Sequence, residues 1–558
     1  MAMKYYMGVD VGTSSVRVGL FDQNGILMEQ KTEEITVFNF KQDYYEQSSS
    51  EIIEKINQCI NFILDKCPVG ENVLSIGFDA TCSLVILDKN YQPLSVSDSE
   101  DPNINIIMWM DHRAIEQAEF INSTNYEALK NVGGSISPEM DPPKILWLKQ
   151  NKKSSFQNAS HFFSLPDFLV WKFSGKSVRS VCSVTCKWLF KSKENKWDVN
   201  FWQTIDLDEL THDNFARIGS KIEKPLKYCD TKILDSVSKA LGLNPETKIG
   251  VSMIDAHAGG VGGICLTYGY LNHLKESKVN VEEILVLVSG TSSCFMATSK
   301  EPKFIKGIWG PYFEAMVPNM WLNEGGQSAS GKLLDHVITT HPSYSQLKAD
   351  LGDNNSVYNY LNDYLKRLAE EKKLKNLTYL TKDVHVYPDF HGNRSPLADP
   401  IMKGQIIGLG LDTSLQDLAI KYLATVQALA YQTRHIIEEM NSQGIDIKII
   451  SLIGGLIQNS LYTRTVCDVC NVPVLFQNGL NSSIILGAAL LGAASCDFFR
   501  EKSFEQLISD FGIKNQNAMN CSFLRPDLNT KMYHQTKYEI YKLMLNNQII
   551  FRSMMKNF

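Results

Sequence analysis

The chain has 558 residues, of which 44% are hydrophobic and 21% charged, and its formal net charge is −6. This length favours two large domains within a range of one to four, and the composition is that of an ordinary globular protein. The negative balance argues against a nucleic-acid partner, because a phosphate backbone requires a basic surface, but a few backbone N–H groups can still hold a small phosphorylated ligand.

The chain opens with two predicted strands joined by a glycine turn. Residues 4–11, "KYYMGVDV", and 16–22, "VRVGLFD", are typical of strands, and "GTSS" at 12–15 lies between them. The turn "QNG" then leads into a third β-like stretch at 26–34.

A helix and further strands are predicted before the middle of the chain. Helical periodicity covers residues 48–66, for which Ser50 is the predicted N-cap. Residues 73–88 predict a pair of strands, and "HRAIEQAEFINST" at 112–124 predicts a helix. In an aromatic-rich region, "SHFFSLPDFLVWKFSG" at 160–175 predicts a helix that docks through Phe and Trp.

The strand-turn-strand pattern recurs in the second half of the chain. It lies at 284–299, "ILVLVSGTSSCFMATS", with the same tetrapeptide GTSS at its centre. Residues 414–440 predict a long amphipathic helix, and 447–471 predict a strand, a glycine turn and a second helix. Two α/β domains, each opened by a related glycine turn, account for this order.

The first predicted domain covers residues 1–272 and the second covers 273–558. Their connection lies between Gly259 and Ile284. From about residue 497 the chain is charged and aromatic, which predicts a helical tail at the end of the second domain.

The 12 cysteines are irregularly spaced and do not predict a zinc site. Cys182 and Cys186 are four residues apart, and Cys467 and Cys470 form a single C-x-x-C pair. Zinc sites are usually built from two such pairs, and no second pair lies near this one in the sequence. We interpret the cysteines as reduced, mostly buried thiols in a reducing compartment.

The sequence predicts a cytoplasmic protein without a membrane partner. The first residues, "MAMKYYMGVD", lead straight into the glycine turn without the long apolar segment of a secretory signal. The most apolar stretch, "IILGAALLGAA" at 484–494, is too short to span a bilayer. Its glycines and alanines favour a helix packed tightly on a sheet.

The repeated turn is suited to phosphate binding. A phosphate requires several backbone N–H groups and hydroxyls directed inward, and glycine allows the backbone to approach closely. A single GTSS is more often an ordinary hairpin turn. Its duplication, its flanking strands and the acidic residue before the first copy instead favour a clamp for the phosphates of ATP. Asp10 would be repelled by those phosphates unless a cation lay between them, and Mg²⁺ fits this position.

Six motifs occur in the order seen in the FGGY carbohydrate kinases, and together they make the resemblance specific. They are "DVGTSSVR" (10–17), "MIDAHAGGVGG" (253–263), "VSGTSS" (288–293), "NEGGQSASG" (323–331), "IGGLIQNSLYTR" (453–464) and "ILGAALLGAA" (485–494). The resemblance covers roughly residues 4 to 496. Within the family the chain most closely resembles the ribulokinase branch, especially the D-ribulokinases, through "FDATCSLVILD" (78–88), "WMDHRA" (109–114) and "VTCKW" (184–188).

The resemblance implies an α/β fold of two actin-like, ribonuclease-H-like ATPase domains with the active site in the cleft between them. It implies phosphorylation of a sugar hydroxyl, with ATP and Mg²⁺ as cofactors. On this basis residues 1–272 form the sugar-binding N-terminal domain with the first phosphate turn, and 273–558 form the nucleotide-binding C-terminal domain.

Several positions match the family's nucleotide site, and Asp10 is assigned to the metal. The nucleotide positions are Gly12, Thr13, Ser14, Arg17, Gly290, Thr291, Ser292, Gly331, Gly454, Gly455 and Asn459, with Ser330 beside Gly331. Arg17 is alternatively a solvated strand residue. Asn459, expected near the adenine, is alternatively a surface amide in the first turn of a helix.

Asp255 in "MIDAHAG" matches the family's catalytic base, which accepts the proton of the sugar hydroxyl as the O–P bond forms. Its alternative role is to cap the following helix, and the two are compatible because the helix dipole keeps such a carboxylate ionised. We interpret His257 as a packed or supporting histidine rather than a second base.

The sugar is expected to contact Lys187 in "TCKW", which matches a lysine that contacts ribulose in related kinases. The alternative is a surface lysine beside a buried Trp188. Glu324 is expected to accept a hydrogen bond from a sugar hydroxyl, and alternatively it is a loop carboxylate.

Three further residues and the base complete the predicted sugar site. Asp111 contacts sugar or caps a helix that starts at His112. Thr81 and Cys82 form the edge of the pocket, or else pack within a strand. Asp255 itself also contacts the substrate on this interpretation.

The leading hypothesis is an ATP-dependent ketopentose kinase that converts D-ribulose to D-ribulose 5-phosphate. Kinases for L-ribulose, xylulose or a pentitol are the alternatives within the family. An actin- or chaperone-like ATPase that binds protein would share the two turns but not "MIDAHAG", "NEGGQSASG" and "TCKW" together. A catalytically inactive sensor would lack Asp10 or Asp255, and both are present. ATP and a small sugar are the expected partners, and a homodimer is left open as an assembly.

Overall fold

The structure is a computed structural model that describes residues 3–274, 279–352, 356–478, 482–512 and 520–556. The strands are β1 (Tyr5–Val11), β2 (Ser15–Asp22), β3 (Leu27–Glu34), β4 (Phe38–Lys41), β5 (Tyr44–Gln47), β6 (Val73–Ala80), β7 (Leu84–Leu87), β8 (Ile106–Ile107), β9 (His161–Ser164), β10 (Arg179–Ser180), β11 (Ile222–Glu223), β12 (Lys248–Ile249), β13 (Met253–Ile254), β14 (Ile284–Ser289), β15 (Ser293–Ser299), β16 (Trp309–Phe313), β17 (Trp321–Gln327), β18 (His385–Tyr387), β19 (Gln405–Ile407), β20 (Ile449–Ile453), β21 (Val474–Gln477) and β22 (Cys521–Leu524).

The helices are α1 (Ser49–Lys66), α2 (Ile115–Ser123), α3 (Asp141–Asn151), α4 (Lys153–Asn158), α5 (Leu165–Ser174), α6 (Val181–Trp188), α7 (Val199–Thr204), α8 (His212–Phe215), α9 (Asp235–Leu241), α10 (Asp255–Leu274), α11 (Gly331–Thr339), α12 (Tyr344–Leu351), α13 (Val357–Glu371), α14 (Leu415–Ser442), α15 (Ser460–Cys470), α16 (Ser483–Ala494), α17 (Phe504–Gly512) and α18 (Lys531–Met554). Among these helices of the described residues, not one is both long and apolar enough to cross a bilayer.

The first large sheet has the strand order β12-β6-β1-β2-β3, with β13 also paired to β6. The strands β1, β2 and β3 are antiparallel neighbours, whereas β6 runs parallel to β1. Parallel neighbours end at the same edge of a sheet, so β1 and β6 present the residues after their last positions side by side.

The second large sheet repeats this arrangement. Its order is β16-β17-β15-β14-β20-β21-β22, in which β14, β15 and β17 are antiparallel and β20 runs parallel to β14. The central five strands therefore follow the same order as the first sheet. The prediction of two α/β units, each opened by a glycine turn, is confirmed.

The helix α16 packs on β1 and β6 of the first sheet and on α10. A Cβ on Gly487 would lie 1.9 Å from the carbonyl oxygen of Ala258, so only glycine permits this approach of two helix backbones. The predicted tight packing of this apolar helix on a sheet is confirmed. Because α10 comes after the last strand of the first sheet and α16 lies between β21 and β22 of the second, this contact joins the two halves of the chain.

Several predicted boundaries are wrong. The N-cap of α1 is Ser48, whose side chain accepts from the N–H of Glu51, and Ser50 lies inside the helix. The segment 160–175 is not one helix: its first part is β9, which pairs with β7, and the helix starts only beside Pro166. The tail after Cys496 contains a strand as well as helices, since β22 extends the second sheet beside β21.

The predicted domain boundary after residue 272 falls in the last turn of α10 and stays a prediction.

Candidate active site

Two buried carboxylates lie side by side next to the first GTSS turn. The strand register places Asp10 opposite Arg17 on one side and Asp79 on the other. Both carboxylates are buried, and Arg17 Nη2 lies 3.2 Å from Asp10 Oδ2. Arg17 is therefore the ion-pair partner of the predicted metal ligand, and its side chain is only 29% exposed.

The Asp79 carboxylate creates a demand for a cation. Burial raises its pKa well above the usual range, and the charges of Asp10 and Asp255 raise it further. Neither Asp79 oxygen has a hydrogen-bond donor among the described residues. A cation held between Asp10 and Asp79 would remove this repulsion, and carboxylate oxygens are ligands that Mg²⁺ accepts. The residues present therefore fit the expected metal.

Sequence reasoning missed Asp79. The signal in the sequence was the position of Asp79 within its strand. Asp79 is the next-to-last residue of β6, and Asp10 is the next-to-last residue of β1. Only the parallel pairing of β1 with β6 turns these two separate motifs into one acidic pair.

The predicted base, Asp255, starts α10 directly after β13, which pairs with the end of β6. One of its oxygens, Oδ1, accepts from the N–H of Ala256 at 2.7 Å. Burial and the nearby charge of Asp10 raise the pKa of Asp255 to about 6. The carboxylate is thus ionised at neutral pH and is a much better proton acceptor than an ordinary aspartate.

The first turn is held by side chains from other elements of its own half. The N–H of Gly12 donates to Ser15 O at 2.9 Å. Gln47 donates to the carbonyl of Thr13 at 2.9 Å, and Trp109 Nε1 lies 3.2 Å from Thr13 Oγ1. Ser14, at the tip, is exposed.

The second turn is held by the beginning of α11. The N–H groups of Ser330 and Gly331 donate to the carbonyls of Thr291 and Gly290, at 2.8 and 2.9 Å. The predicted nucleotide residues of these two motifs therefore form one backbone unit. Ser292 is partly buried beside them.

The third glycine motif lies against the second turn's strand. Gly454 has a φ of +97°, and a Cβ there would lie 2.4 Å from Ser289 O, so the position requires glycine. Gly455 faces open space.

Asn459 is buried rather than a surface amide, so that alternative is wrong. It caps α15 by accepting from the N–H of Tyr462, and its Nδ2 donates to Tyr422 Oη at 2.8 Å. Its contact with adenine stays a prediction.

Four of the predicted sugar residues, Cys82, Lys187, Asp255 and Glu324, come from different elements and lie close enough for the charge of Lys187, on α6, to act on the pKa values of the other three. Cys294, which follows the second turn, has its pKa raised to about 12 by burial and by the charges of Glu324 and Asp255. The helix α10, which begins with Asp255, also contacts β14 and β15 on either side of the second turn, so the turn and the base belong to one region.

Lys187 and Glu324 are both buried, so the surface-lysine and loop-carboxylate alternatives are wrong. Burial alone would lower the pKa of Lys187, but the charges of Cys82 and Glu324 outweigh it and raise that pKa. Its Nζ lies 4.8 Å from the ring centre of Trp309. Glu324 is in β17, and the hydrogen bond from His257 lowers its pKa to about 2 despite burial. The site therefore holds one fixed positive and one fixed negative group.

Thr81 and Cys82 are buried between β6 and β7. The hydroxyl of Thr81 lies 3.1 Å from Ser83 Oγ, and burial raises the pKa of Cys82 to about 11. Cys82 is near Lys187 and Asp255, which places it beside the predicted pocket.

Asp111 is fully engaged within the protein. It binds Arg113 Nε at 2.9 Å and Nη2 at 2.7 Å, and it accepts from the N–H of Tyr45 at 2.7 Å. The helix does not start at His112 but at Ile115, so the capping alternative is wrong. A sugar contact by Asp111 stays a prediction.

His257 supports Glu324, as the interpretation of a packed histidine expects. Its Nε2 lies 3.0 Å from Glu324 Oε2, and its Nδ1 lies 3.0 Å from Cys182 Sγ. All three groups are buried. This chain of contacts joins α6, α10 and β17.

Sequence reasoning also missed Trp309 and Arg394, which belong to the second half of the chain. The Arg394 guanidinium lies 5.8 Å from the Trp309 ring centre, and its Nη2 lies 3.6 Å from Glu139 Oε2 in the first half. Neither residue belongs to a local motif. Their place at the site follows from tertiary contacts alone.

Two family models cover most of the chain. The N-terminal domain of the FGGY family of carbohydrate kinases matches residues 5–262, and the C-terminal domain of the same family matches residues 285–496. The chain belongs to the FGGY family of carbohydrate kinases. The resemblance stated on six motifs is confirmed over both halves.

Similar proteins extend over almost the whole chain. An FGGY carbohydrate kinase domain-containing protein of Homo sapiens is 42% identical over 548 residues, covering 98% of this chain and 97% of that protein. A D-ribulokinase of Saccharomyces cerevisiae is 38% identical over 524 residues, covering 89% of this chain and 73% of that protein.

Among solved structures, the Plasmodium falciparum glycerol kinase with ADP is similar at a TM-score of 0.73 and 17% identity, covering 96% of this chain and 97% of that one. At this identity the likeness concerns the fold. The two-domain, actin-like α/β fold expected for this FGGY carbohydrate kinase is confirmed.

Proposed function

We propose that this FGGY carbohydrate kinase transfers the γ-phosphate of ATP to a ketopentose, converting D-ribulose to D-ribulose 5-phosphate. The observation that carries the proposal is the position of Asp255. Its carboxylate lies beside the acidic pair of the first turn on one side and within the field of Lys187 on the other. The 38% identity to a D-ribulokinase supports the choice of sugar.

Asp255 accepts the proton of the attacking hydroxyl. With a pKa of about 6 it is ionised at neutral pH, and it is held at the first residue of α10 by its contact with the N–H of Ala256. The hydroxyl oxygen forms the new O–P bond, the bond to ADP breaks, and the proton goes to Asp255.

The phosphates are held by backbone N–H groups and hydroxyls of the two turns. Asp10 and Asp79 would hold Mg²⁺, which when bound neutralises phosphate charge. Burial raises the pKa of Asp10, and the ion pair with Arg17 offsets part of this rise.

The sugar is recognised by one donor and one acceptor of fixed charge. Lys187 donates to a sugar oxygen, and Glu324 accepts from a sugar hydroxyl. Both stay charged across the physiological pH range because each is surrounded by opposite charge. Closing the cleft around them keeps water from the γ-phosphate.

A panel of sugars tests this proposal. ADP formation is measured by coupled ATP turnover with D-ribulose, L-ribulose, D-xylulose, L-xylulose and the corresponding pentitols, with Asp255→Asn as the inactive control on every sugar. The highest kcat/KM is expected with D-ribulose. A higher value with another sugar would overturn the assignment to D-ribulose but not the kinase activity. Sugar-independent ATP hydrolysis at the full rate would instead favour the protein-binding ATPase.

A further inference from the structure

Three soft metal-binding groups meet in the interior, next to the sugar site. Cys182 and Cys186 lie one turn apart on α6, and His257 lies in the first turn of α10. Their two Sγ atoms and one ring nitrogen all lie within 4.8 Å of one another. All three side chains are buried. The sequence did not predict this group as a metal site, because His257 lies 71 residues beyond Cys186 and no short motif contains all three residues.

We propose that Cys182, Cys186 and His257 bind one Zn²⁺ ion. Two thiolates and an imidazole are ligands that this ion prefers, and they disfavour Mg²⁺ or Ca²⁺, which require oxygen ligands. The site is thus distinct in chemistry and in residues from the magnesium site at Asp10 and Asp79.

The orientation of His257 is already that of a metal ligand. Its Nε2 lies 3.0 Å from the Glu324 carboxylate, which directs Nδ1 toward Cys182 Sγ, also at 3.0 Å. A histidine that binds a metal through one nitrogen usually donates the other N–H to a carboxylate or a carbonyl group. Cys182 Sγ additionally accepts from the N–H of Ile254 at 3.5 Å, a contact that stabilises a thiolate.

Charge balance favours the ion in this buried place. Two thiolates carry two negative charges and a neutral imidazole carries none, so the two positive charges of Zn²⁺ leave the bound group neutral. No uncompensated charge is therefore buried, and buried uncompensated charge is what makes interior ionic sites costly.

A further buried oxygen is available from the second half of the chain. Tyr312, on β16, is buried, and its hydroxyl has no hydrogen-bond partner among the described residues. Tyr312 belongs to the same buried cluster of side chains as Cys182 and Cys186, and β16 packs on α6. Tyr312, or a water that it holds, is suited to the fourth position of a tetrahedral ion.

The ion would tie α6 to α10, and with them two residues of the proposed kinase site. Lys187 follows Cys186 directly on α6, and Asp255 lies two residues before His257 on α10. The proposal does not depend on which sugar is phosphorylated, because its primary measurement is metal content.

The test measures zinc in the purified full-length chain. Protein is exchanged into zinc-containing buffer, freed of loosely bound metal by gel filtration, and analysed by elemental mass spectrometry. About one Zn²⁺ per chain is expected. A wild-type content below a tenth of an equivalent would overturn the proposal, whatever the behaviour of the variants.

Variants locate the ion. Cys186→Ser and His257→Gln are expected to lose at least nine-tenths of the zinc, whereas the matched pair Cys467→Ser and Cys470→Ser retains it. Thermal unfolding of each variant shows whether it is folded. Zinc that persists in folded Cys186→Ser, or that is lost in Cys470→Ser, would overturn the assignment to this site.

Cobalt substitution reports the ligands directly and needs no variant. The Co²⁺-loaded wild-type chain is expected to show a thiolate-to-cobalt charge-transfer band in the near ultraviolet together with the visible bands of tetrahedral Co²⁺. A spectrum without the charge-transfer band would contradict thiolate ligation.

Discussion

The two GTSS turns have one sequence and equivalent places in their sheets, yet they are closed differently. In the first, Val11 pairs with Val16, so all four residues lie between the paired positions, and Ser15 begins β2 through its pairing with Glu34 of β3. In the second, Ser289 pairs with Ser293, so only three residues lie between the paired positions. The same tetrapeptide thus takes two registers.

The surroundings of the turns differ more than their backbones. Ser293 is buried in a hydroxyl network, with Ser289 Oγ at 2.9 Å and Ser330 Oγ at 2.7 Å. Ser15, its counterpart, is partly exposed at the beginning of β2. Two residues before the glycine, the first turn has the buried Asp10 and the second has Val288. The first turn therefore lies beside acidic groups that require a cation, whereas the second turn is fixed by a network of buried hydroxyl groups.

The comparison shows that a short motif specifies a backbone shape and not a role. Glycine and hydroxyl residues provide N–H groups and close approach in both turns. Whether a turn takes part in catalysis or only stabilises the site depends on the residues that the neighbouring strand and helix place beside it. Four experiments sharpen or break this contrast, and the largest effect is expected first.

Asp255→Asn should remove the acceptor for the hydroxyl proton at the acidic turn. Sugar-dependent ADP formation is expected to fall by about two to four orders of magnitude, while nucleotide binding stays nearly intact. Steady-state kinetics and ADP titration measure the two effects. The matched control is Asp235→Asn, since Asp235 is also the first residue of a helix but is exposed. A variant that keeps more than a tenth of wild-type turnover would mean that Asp255 is not the base.

The wild-type pH profile provides a companion measurement. The raised pKa of Asp255, about 6, predicts that activity is full above this value and declines as the pH falls below it. Activity declines toward low pH because the carboxyl group of Asp255, once protonated, cannot accept the proton of the sugar hydroxyl. A rate independent of pH between 5 and 7 would contradict the assignment.

Asp10→Asn should act on the metal and not on the sugar. Loss of one charged ligand is expected to lower kcat by about two orders of magnitude and to raise the Mg²⁺ concentration required for half-maximal rate. The KM for sugar should change little. Asp79→Asn should reproduce this pattern, because the two carboxylates face the same cation. An unchanged Mg²⁺ titration in both variants would mean that the two carboxylates do not bind the metal. The contrast between an acidic first turn and a supporting second turn would then fail.

Ser293→Ala and Ser15→Ala compare the same substitution in the two turns. Removal of the Ser293 hydroxyl leaves buried hydroxyl partners unsatisfied and should cost about 1–3 kcal/mol in the free energy of unfolding. Ser15→Ala should change it by less than about 0.5 kcal/mol. Urea denaturation followed by fluorescence measures both. Equal changes in the free energy of unfolding of the two variants would mean that the hydroxyl network does not stabilise the second turn.

The smallest expected signal concerns both turns together. If one nucleotide contacts both and sugar lies between Lys187 and Glu324, the two ligands should favour a closed cleft. Small-angle scattering should then give a smaller radius of gyration with both ligands than for the free protein, and ATP hydrolysis without sugar should be weak. Superimposable curves with full sugar-independent hydrolysis would mean that the turns do not form one clamp.

Much of the fold was predictable, because its signals are local. Strand patterns, turn residues and helical periodicity located the hairpins at both turns, the helix 415–442 and the apolar helix α16. The errors lie where tertiary contacts override local preference. At 160–175 the residues of β9 join a sheet because β7 offers a free edge, which no local pattern records.

The sequence by itself determined the family, the repeated turns and the candidate base, because these depend on residue types at fixed spacing. Only the tertiary structure decided which groups act on one another. The pairing of β1 with β6 brings Asp79 beside Asp10, and the packing of α6 on α10 brings Cys186 near His257. These contacts depend on strand register and on helix packing between residues that are tens to hundreds of positions apart in the sequence. The distances that result determine the electrostatic and metal-binding properties of the groups.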